Sequence, residues 1–221
     1  RGDCLSINGL LRDLAAFYSV NLNHEIYNEK LNELPLDFEN LSKEICPQIS
    51  FLKLEIDHIP ETYRGSLGNY FLDLSINKNN FFTDISNYLS YETGQPTHCY
   101  DANTINGKLI FYEIDRDEEF ETLLDKKITL TGKNPVFSLN NEVINLAGVV
   151  GGKSTSCSVN TKTVIVECAF FQPEAIIGKS VKYDIQSEAS HKFERGVDPD
   201  CHDRVLRRFI KLVSEHANIK D

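Results

Sequence analysis

Residues 163–171 have the sequence TVIVECAFF, a run of branched and aromatic side chains interrupted by one carboxylate, Glu167. Short runs of this kind, bounded by turn residues, are typical of strands in a packed sheet. Three similar runs precede it, separated by Gly, Asn, Asp and Lys: LIFYEI at 109–114, PVFSL at 135–139 and EVINLAGVV at 142–150. The chain beyond Gly107 is therefore predicted to form a sheet.

Apolar residues at helical spacing flank this region on both sides. At the start of the chain, residues 3–18 predict an amphipathic helix whose apolar face packs on the rest of the protein. The segment 200–216 predicts another, and a shorter helix is expected to end at Gly94, because Pro96 makes continuation unfavourable. Helices are thus expected near both ends of the chain.

The remaining segments are predicted from alternation and from turn residues. Residues 51–58 alternate between apolar and charged side chains, as in a half-buried strand. The polar segments 21–48 and 77–80 predict loops, the first with one short element. Helices around a central sheet favour one α+β module over two separable domains, although two closely packed halves within residues 1–221 stay possible.

Composition excludes several classes of protein. The 221 residues carry a formal net charge of −10, which repels nucleic acid and anionic lipid unless basic residues are locally concentrated. No apolar stretch approaches the roughly 18 residues of a membrane span. Six scattered Cys without a CxxC pair indicate a reducing compartment and no zinc site. The chain contains no Met, even at position 1, so we expect it to be part of a longer polypeptide.

Glu167 is the most unusual residue of the predicted strands. By alternation it shares a face with Ile165 and Ala169, opposite to Val164 and Val166. The carboxylate therefore lies either on a solvated face or in a cavity that supplies a donor, because an unpaired buried charge is costly.

Three further segments have both a structural and a functional interpretation. Residues 84–101 place His98 among polar side chains near a Gly-Pro turn, either as a hydrogen-bonded loop residue or as part of a site. The glycines of LAGVVGG at 146–152 allow close approach of a ligand or of another backbone. The alternating charged residues of 187–199 are consistent either with a structural turn held by ion pairs or with part of a functional site.

Common catalytic motifs are absent from the sequence, which has no GxSxG, HExxH or P-loop pattern. Cys99 follows His98 directly, which suggests a thiol nucleophile. Neighbouring residues of a strand face opposite ways, however, so a Cys99 hydrolase is the weakest of the functional hypotheses.

Four strings in register resemble the editing module of the bacterial-type phenylalanyl-tRNA synthetase beta subunit: SNYLSYETGQPTHCYD, LAGVVGG, VIVECAFFQP and SEASHKFERGVDP. The resemblance covers essentially the whole chain. It implies a mixed α/β module in three layers, sheet, sheet and helix. It also implies hydrolysis of tyrosine wrongly esterified to tRNA(Phe). The alternative is an inactive module that serves a structural or tRNA-orienting role.

The resemblance also implies roles for individual residues. Glu167 matches the acceptor of the tyrosine hydroxyl, and Gly148 matches a backbone contact to that hydroxyl. His98 and Asn87 match positions near the ester. His98 is expected to position water and is a candidate general base, and Asn87 is expected to orient the substrate. Pro96 matches another position near the ester and the amino acid's amine and carbonyl. Ser187 and Ala189 match small residues that shape the cavity.

Partners and cofactors follow from the same resemblance. The expected partners are the acceptor end of tRNA(Phe), the other beta-subunit domains and the alpha subunit, in the cytoplasm and without a membrane. No cofactor or metal is expected in this module, since ATP and Mg would belong to the synthetic site elsewhere. The sequence departs from the family pattern at Asn77, where Arg is common, at Ser86 and Ser187, where Thr is common, and at Glu188, where Asp is common.

Overall fold

The computed structural model describes residues 1–23 and 25–220. Its helices are α1 Ile7–Tyr18, α2 Gly65–Asp73, α3 Phe81–Thr93, α4 Pro173–Ile176, α5 Lys179–Tyr183, α6 Glu188–Phe193 and α7 His202–Ser214. Its strands are β1 Phe38–Asn40, β2 Gln48–Glu55, β3 Thr97–Asp101, β4 Leu109–Asp115, β5 Glu118–Glu121, β6 Lys127–Leu130, β7 Lys133–Leu139, β8 Glu142–Leu146, β9 Val150–Gly151 and β10 Thr163–Phe170.

The strands form three sheets. A five-stranded sheet has the order β1-β4-β7-β8-β9, and β5 and β6 pair as a separate hairpin. The third sheet has the order β2-β10-β3, so β10 is its central strand and is antiparallel to both neighbours. In this register Glu167 lies directly opposite His98 of β3. The two residues singled out by the sequence are therefore cross-strand neighbours.

Two hydrophobic cores lie on opposite faces of the β2-β10-β3 sheet. Ile165 and Ala169 pack into the core shared with the five-stranded sheet. Val164 and Val166 pack into the core shared with α2, α3 and α7. The layers are thus sheet, sheet and helix, which confirms the predicted α+β fold class. Because both faces of β10 are covered, the solvated-face interpretation of Glu167 is wrong.

Most predicted elements are present with shifted ends. The helix expected to end at Gly94 is α3, which begins where the Asn80 side chain accepts a hydrogen bond from the Thr83 amide. Strand β2, β10, the short β1 and the final helix α7 lie in the segments where they were predicted. The helix α2 was not predicted, because its nine residues contain two Gly and few charges that would mark an amphipathic pattern.

The first helix differs from the prediction in what it buries. The helix contacts α3, and its buried residues are Gly9 and Ala15. The larger apolar side chains of α1 stay in water, with Leu14 54% and Phe17 80% exposed. The expectation that the apolar face of α1 packs on the protein is therefore wrong for these residues. Within the described residues, no helix has the length and apolar character needed to cross a membrane.

Candidate functional site

A cavity of about 440 Å³ lies between the two larger sheets and is closed on its other sides by α3 and α6. All seven residues predicted for the site line this cavity: Asn87, Pro96, His98, Gly148, Glu167, Ser187 and Ala189. A larger cleft of about 660 Å³ lies between α1, the end of α3 and the start of α7, and none of the seven lines it. The structure thus brings together residues that are up to about a hundred positions apart in the sequence.

Glu167 is 5% exposed and has one hydrogen-bond donor from the protein. The Tyr100 hydroxyl donates to its Oε2 atom at 2.6 Å. The other oxygen, Oε1, has no partner among the described residues and is not among their fully buried unpartnered atoms. Burial raises the pKa of Glu167 to about 8, although the Tyr100 hydrogen bond opposes that rise. The carboxyl group therefore changes its protonation state at about pH 8, close to neutrality.

Tyr100 and Asn145 belong to this site, and sequence reasoning missed both. Tyr100 is completely buried, and its oxygen accepts a hydrogen bond from Asn145 Nδ2 at 2.8 Å. One signal was available, since Tyr100 is two residues beyond His98 and so shares its face of β3. Nothing in the sequence indicated Asn145, which reaches Tyr100 from β8 in the other sheet.

His98 lines the cavity and has an unpartnered ring nitrogen. Its Nε2 atom is buried and has no hydrogen-bond partner among the described residues. The imidazole packs edge to face against Tyr100, with ring centroids 4.4 Å apart. Burial lowers the pKa of His98 to about 4, so the ring is neutral at pH 7. A neutral imidazole with a free nitrogen can accept a hydrogen bond from water, or donate one, depending on its tautomer.

The glycine-rich turn makes room for both His98 and the cavity wall. A Cβ atom on Gly151 would lie 2.2 Å from His98 Cε1, so only glycine allows this position of the ring. Gly148 has φ of +69°, and a Cβ there would lie 2.9 Å from Ile176 Cδ1. The glycines of LAGVVGG therefore allow close approach, here of the side chains of His98 and Ile176.

The remaining predicted residues lie around the edge of the cavity. Asn87 is exposed on α3, so its amide is accessible at the mouth. Pro96 is buried at the start of β3. Ser187 caps α6 by accepting from the Ser190 amide, and its hydroxyl donates to the Val149 carbonyl at 2.7 Å. Ser187 therefore holds the glycine-rich turn against α6.

Cys99, the neighbour of His98, also lines the cavity, but its thiol lies on the other side of the sheet. Cys99 belongs to the core on the helix side of the sheet, where its thiol lies 3.5 Å from the Phe82 carbonyl oxygen. Burial raises the pKa of the Cys99 thiol well above its ordinary value. A buried, protonated thiol on the opposite face is unsuited to act as a nucleophile in the cavity.

Charged groups are scarce around the cavity. Among the described residues that line it, Glu167 is the single carboxylate, and none is Lys or Arg. Asn77, at the position where the family commonly has Arg, is exposed and does not line the cavity. The described residues contain one cluster with metal-ligand spacing, Asp3, Cys4 and Asp13, which lies outside the cavity. Arg1 contacts both of its carboxylates at 2.7 Å, so these charges are already paired.

Comparison with known proteins identifies the family. A family model described as the B3/4 domain matches residues 66–218. Because this match covers well over half of the 221 residues, the chain belongs to the B3/4 domain family.

Beta subunits of phenylalanine–tRNA ligase are similar to this chain along nearly its whole length. The subunit from Ehrlichia canis is 34% identical over 228 residues, which cover 98% of this chain and 28% of that protein. The subunit from Psychrobacter arcticus is 29% identical over 223 residues, which cover 97% and 27%. The chain therefore spans little more than a quarter of the length of these curated relatives.

A solved structure shares the fold. The crystal structure of an N-terminal fragment of the phenylalanyl-tRNA synthetase beta subunit from Pyrococcus horikoshii aligns with a TM-score of 0.51 at 12% identity. The alignment covers 99% of this chain and 59% of that one. At such low identity the match concerns the fold alone, and it agrees with the layered α+β architecture.

Proposed function

We propose that this domain hydrolyses the ester of tyrosine mistakenly attached to tRNA(Phe), as the post-transfer editing domain of a phenylalanine–tRNA ligase. One observation carries the proposal: the same cavity is lined by Glu167, whose carboxyl group is buried, and by His98, whose buried Nε2 atom has no partner among the described residues. The cavity volume of about 440 Å³ lies within the range typical of small-ligand sites.

Glu167 supplies the selectivity in this proposal. A synthetic pocket built for a phenyl ring rejects an added hydroxyl poorly, by roughly a hundredfold. A second site that requires the hydroxyl solves the problem, because phenylalanine leaves its buried polar group unpaired. Glu167 can accept the hydrogen bond of a phenol in either protonation state, and the Gly148 backbone lies in the same wall. Tyrosine is therefore retained where phenylalanine is not.

His98 and Asn87 act at the other end of the substrate. An aminoacyl ester is already activated and water is the acceptor, so no protein nucleophile is needed. Neutral His98 binds the attacking water through Nε2 and takes its proton as it attacks the carbonyl carbon. The exposed amide of Asn87 orients the amino acid at the cavity mouth. The ester bond breaks, and the proton passes to the departing ribose oxygen of the tRNA.

The proposed setting is the complete synthetase in the cytoplasm. The acceptor end of tRNA(Phe) brings the esterified tyrosine, and the other beta-subunit domains and the alpha subunit deliver it. ATP and Mg serve the synthetic site elsewhere in that enzyme, and editing in this domain uses no cofactor.

The test is deacylation of Tyr-tRNA(Phe) by the intact synthetase. Glu167→Ala and His98→Ala should each lower the rate at least about tenfold, since each removes a contact to the reacting substrate. Matched controls are Glu188→Ala and His191→Ala, which change exposed residues of α6 outside the cavity lining. Parent-like rates in both site variants would refute the proposal.

An inactive tRNA-orienting module is the second candidate. It is favoured by the lack of any Lys or Arg among the described lining residues and by the Tyr100 hydroxyl that already occupies Glu167 Oε2. Soaking crystals with L-tyrosine separates the two candidates. The editing proposal requires a tyrosine whose hydroxyl contacts Glu167, whereas a cavity that excludes the ligand supports the inactive module.

A further inference from the structure

Glu167 is held by a chain of two hydrogen bonds that begins at Asn145 and passes through Tyr100. Asn145 Nδ2 donates to the Tyr100 oxygen at 2.8 Å, and the Tyr100 hydroxyl donates to Glu167 Oε2 at 2.6 Å. All three side chains are at most 5% exposed. The chain starts on β8 of one sheet, passes through β3 and ends on β10 of the other, so it joins the two sheets at the cavity.

The direction of this chain decides which carboxylate oxygen is available. A phenol has one proton, and the amide donor of Asn145 already fills an acceptor position on the Tyr100 oxygen. The Tyr100 proton must therefore point to Glu167 Oε2. Oε1 is left without a partner among the described residues, and it is the oxygen that a ligand can reach.

We propose that Tyr100, held by Asn145, is a positioning residue that determines specificity: it occupies Oε2 of Glu167 and so presents Oε1 to the substrate's phenol hydroxyl. This inference rests on the proposed editing function. In the complex, one carboxylate accepts from two phenols, one from the protein and one from the substrate. Because the protein phenol is already in place, the carboxylate loses little rotamer freedom when the substrate arrives.

Tyr100 also influences when the carboxylate ionises. Its hydrogen bond holds the pKa of Glu167 lower than burial alone would. The other titratable groups close to Glu167 are His98 and Cys99 on β3, Cys168 on β10 and Cys46. Burial is the first cause of the raised pKa of each of the three thiols, and the charge of Glu167 adds to it. Loss of the Tyr100 hydroxyl therefore leaves a carboxylate that is both less fixed and harder to ionise.

The test compares Tyr100→Phe with Tyr88→Phe in the intact synthetase. Tyr88 is a matched control, because its hydroxyl donates to Glu92 at 2.7 Å on the helix side, away from the cavity. Tyr100→Phe should raise KM for Tyr-tRNA(Phe) deacylation about tenfold with a smaller change in kcat, because the hydroxyl end is separate from the ester. Phe-tRNA(Phe) hydrolysis should not change.

The pH profile provides the readout that a merely structural role would not move. KM for the tyrosyl ester should fall as pH rises through about 8 in the parent, and this midpoint should move to higher pH in Tyr100→Phe. Asn145→Ala should change both quantities in the same direction by a smaller amount. Tyr88→Phe should match the parent in both.

The outcomes distinguish this inference from the proposed function. If the parent hydrolyses Tyr-tRNA(Phe) and Tyr100→Phe keeps its KM and pH midpoint, the inference is wrong and editing stands. If the parent shows no hydrolysis, the editing function fails. The positioning role of Tyr100 is then tested by a carbon-13 NMR titration of the Glu167 carboxyl group in the same protein. An unchanged midpoint in Tyr100→Phe then overturns the positioning role, and an upward shift supports it.

Discussion

Glu167 and His98 are directly opposed on neighbouring strands, yet burial acts on them in opposite directions. It raises the pKa of Glu167 to about 8 and lowers the pKa of His98 to about 4, because in each case the charged form is the costly one. Both groups are therefore close to neutral in the ligand-free protein.

The raised pKa of Glu167 predicts a pH-dependent stability. A carboxyl group whose folded pKa exceeds its ordinary 4.5 favours folding most below that value, and the benefit is lost as pH rises through about 8. At about 1.36 kcal/mol per unit, the loss is up to about 5 kcal/mol. Glu167→Gln should therefore gain stability relative to the parent between pH 5 and 8, with a constant difference at higher pH.

Urea unfolding at a series of pH values measures this difference directly. His98 acts in the opposite sense, since its lowered pKa removes stability as pH falls from 6.5 towards 4, but this contribution is common to both proteins and cancels. Glu188→Gln serves as the control, because Glu188 is exposed. A difference that does not vary between pH 5 and 8 would mean that Glu167 is not perturbed.

At the level of elements, α1 shows that a helical pattern and a buried face are separate properties. Its spacing of apolar residues correctly predicted a helix, but the buried residues of that helix are Gly9 and Ala15. Gly9 lies against the segment that precedes α1, where a Cβ atom would lie 1.6 Å from the Asp3 carbonyl oxygen. The large apolar residues of α1 remain exposed.

Substitutions in α1 should follow this division. Leu14→Gln and Phe17→Ser should change the free energy of unfolding by less than about 0.5 kcal/mol, as expected for exposed positions. Gly9→Ala should cost several times more, because backbone atoms must move to admit the methyl group. Thermal and urea unfolding of the three variants measure this, and a large loss in Leu14→Gln would show that its side chain is covered in solution.

For the whole molecule, the charge distribution opposes strong nucleic-acid binding. Several basic residues lie near the end of the chain: Lys192, Arg195, Arg204, Arg207, Arg208 and Lys211. In the fold, Lys192 is buried and donates to Ser90, and Arg208 is buried against Glu92 at 2.8 Å. Arg207 and Lys211 pair with Asp203 and Glu25. Few of these cations remain for phosphate.

This chain alone should therefore bind tRNA(Phe) with a dissociation constant weaker than about 1 µM at physiological salt, in the range of nonspecific contacts. Fluorescence anisotropy with labelled tRNA measures the constant, and a salt series provides the control, since residual binding should fall steeply with salt. Submicromolar binding at physiological salt would contradict the prediction. Weak binding would agree with the proposal that neighbouring domains deliver the substrate.

The sequence by itself determined the terminal helices and the strands within 51–58, 109–114, 135–139, 142–150 and 163–171. It also determined the shared face of Glu167, Ile165 and Ala169, and the candidate site residues through their resemblance to a family. Alternation determines which residues share a face, but it does not determine what covers that face. Only the tertiary structure decided that both faces of β10 are buried, that Asn145 of the other sheet reaches Tyr100, and that α1 leaves its large side chains exposed. These depend on how distant segments pack together, which no local pattern encodes.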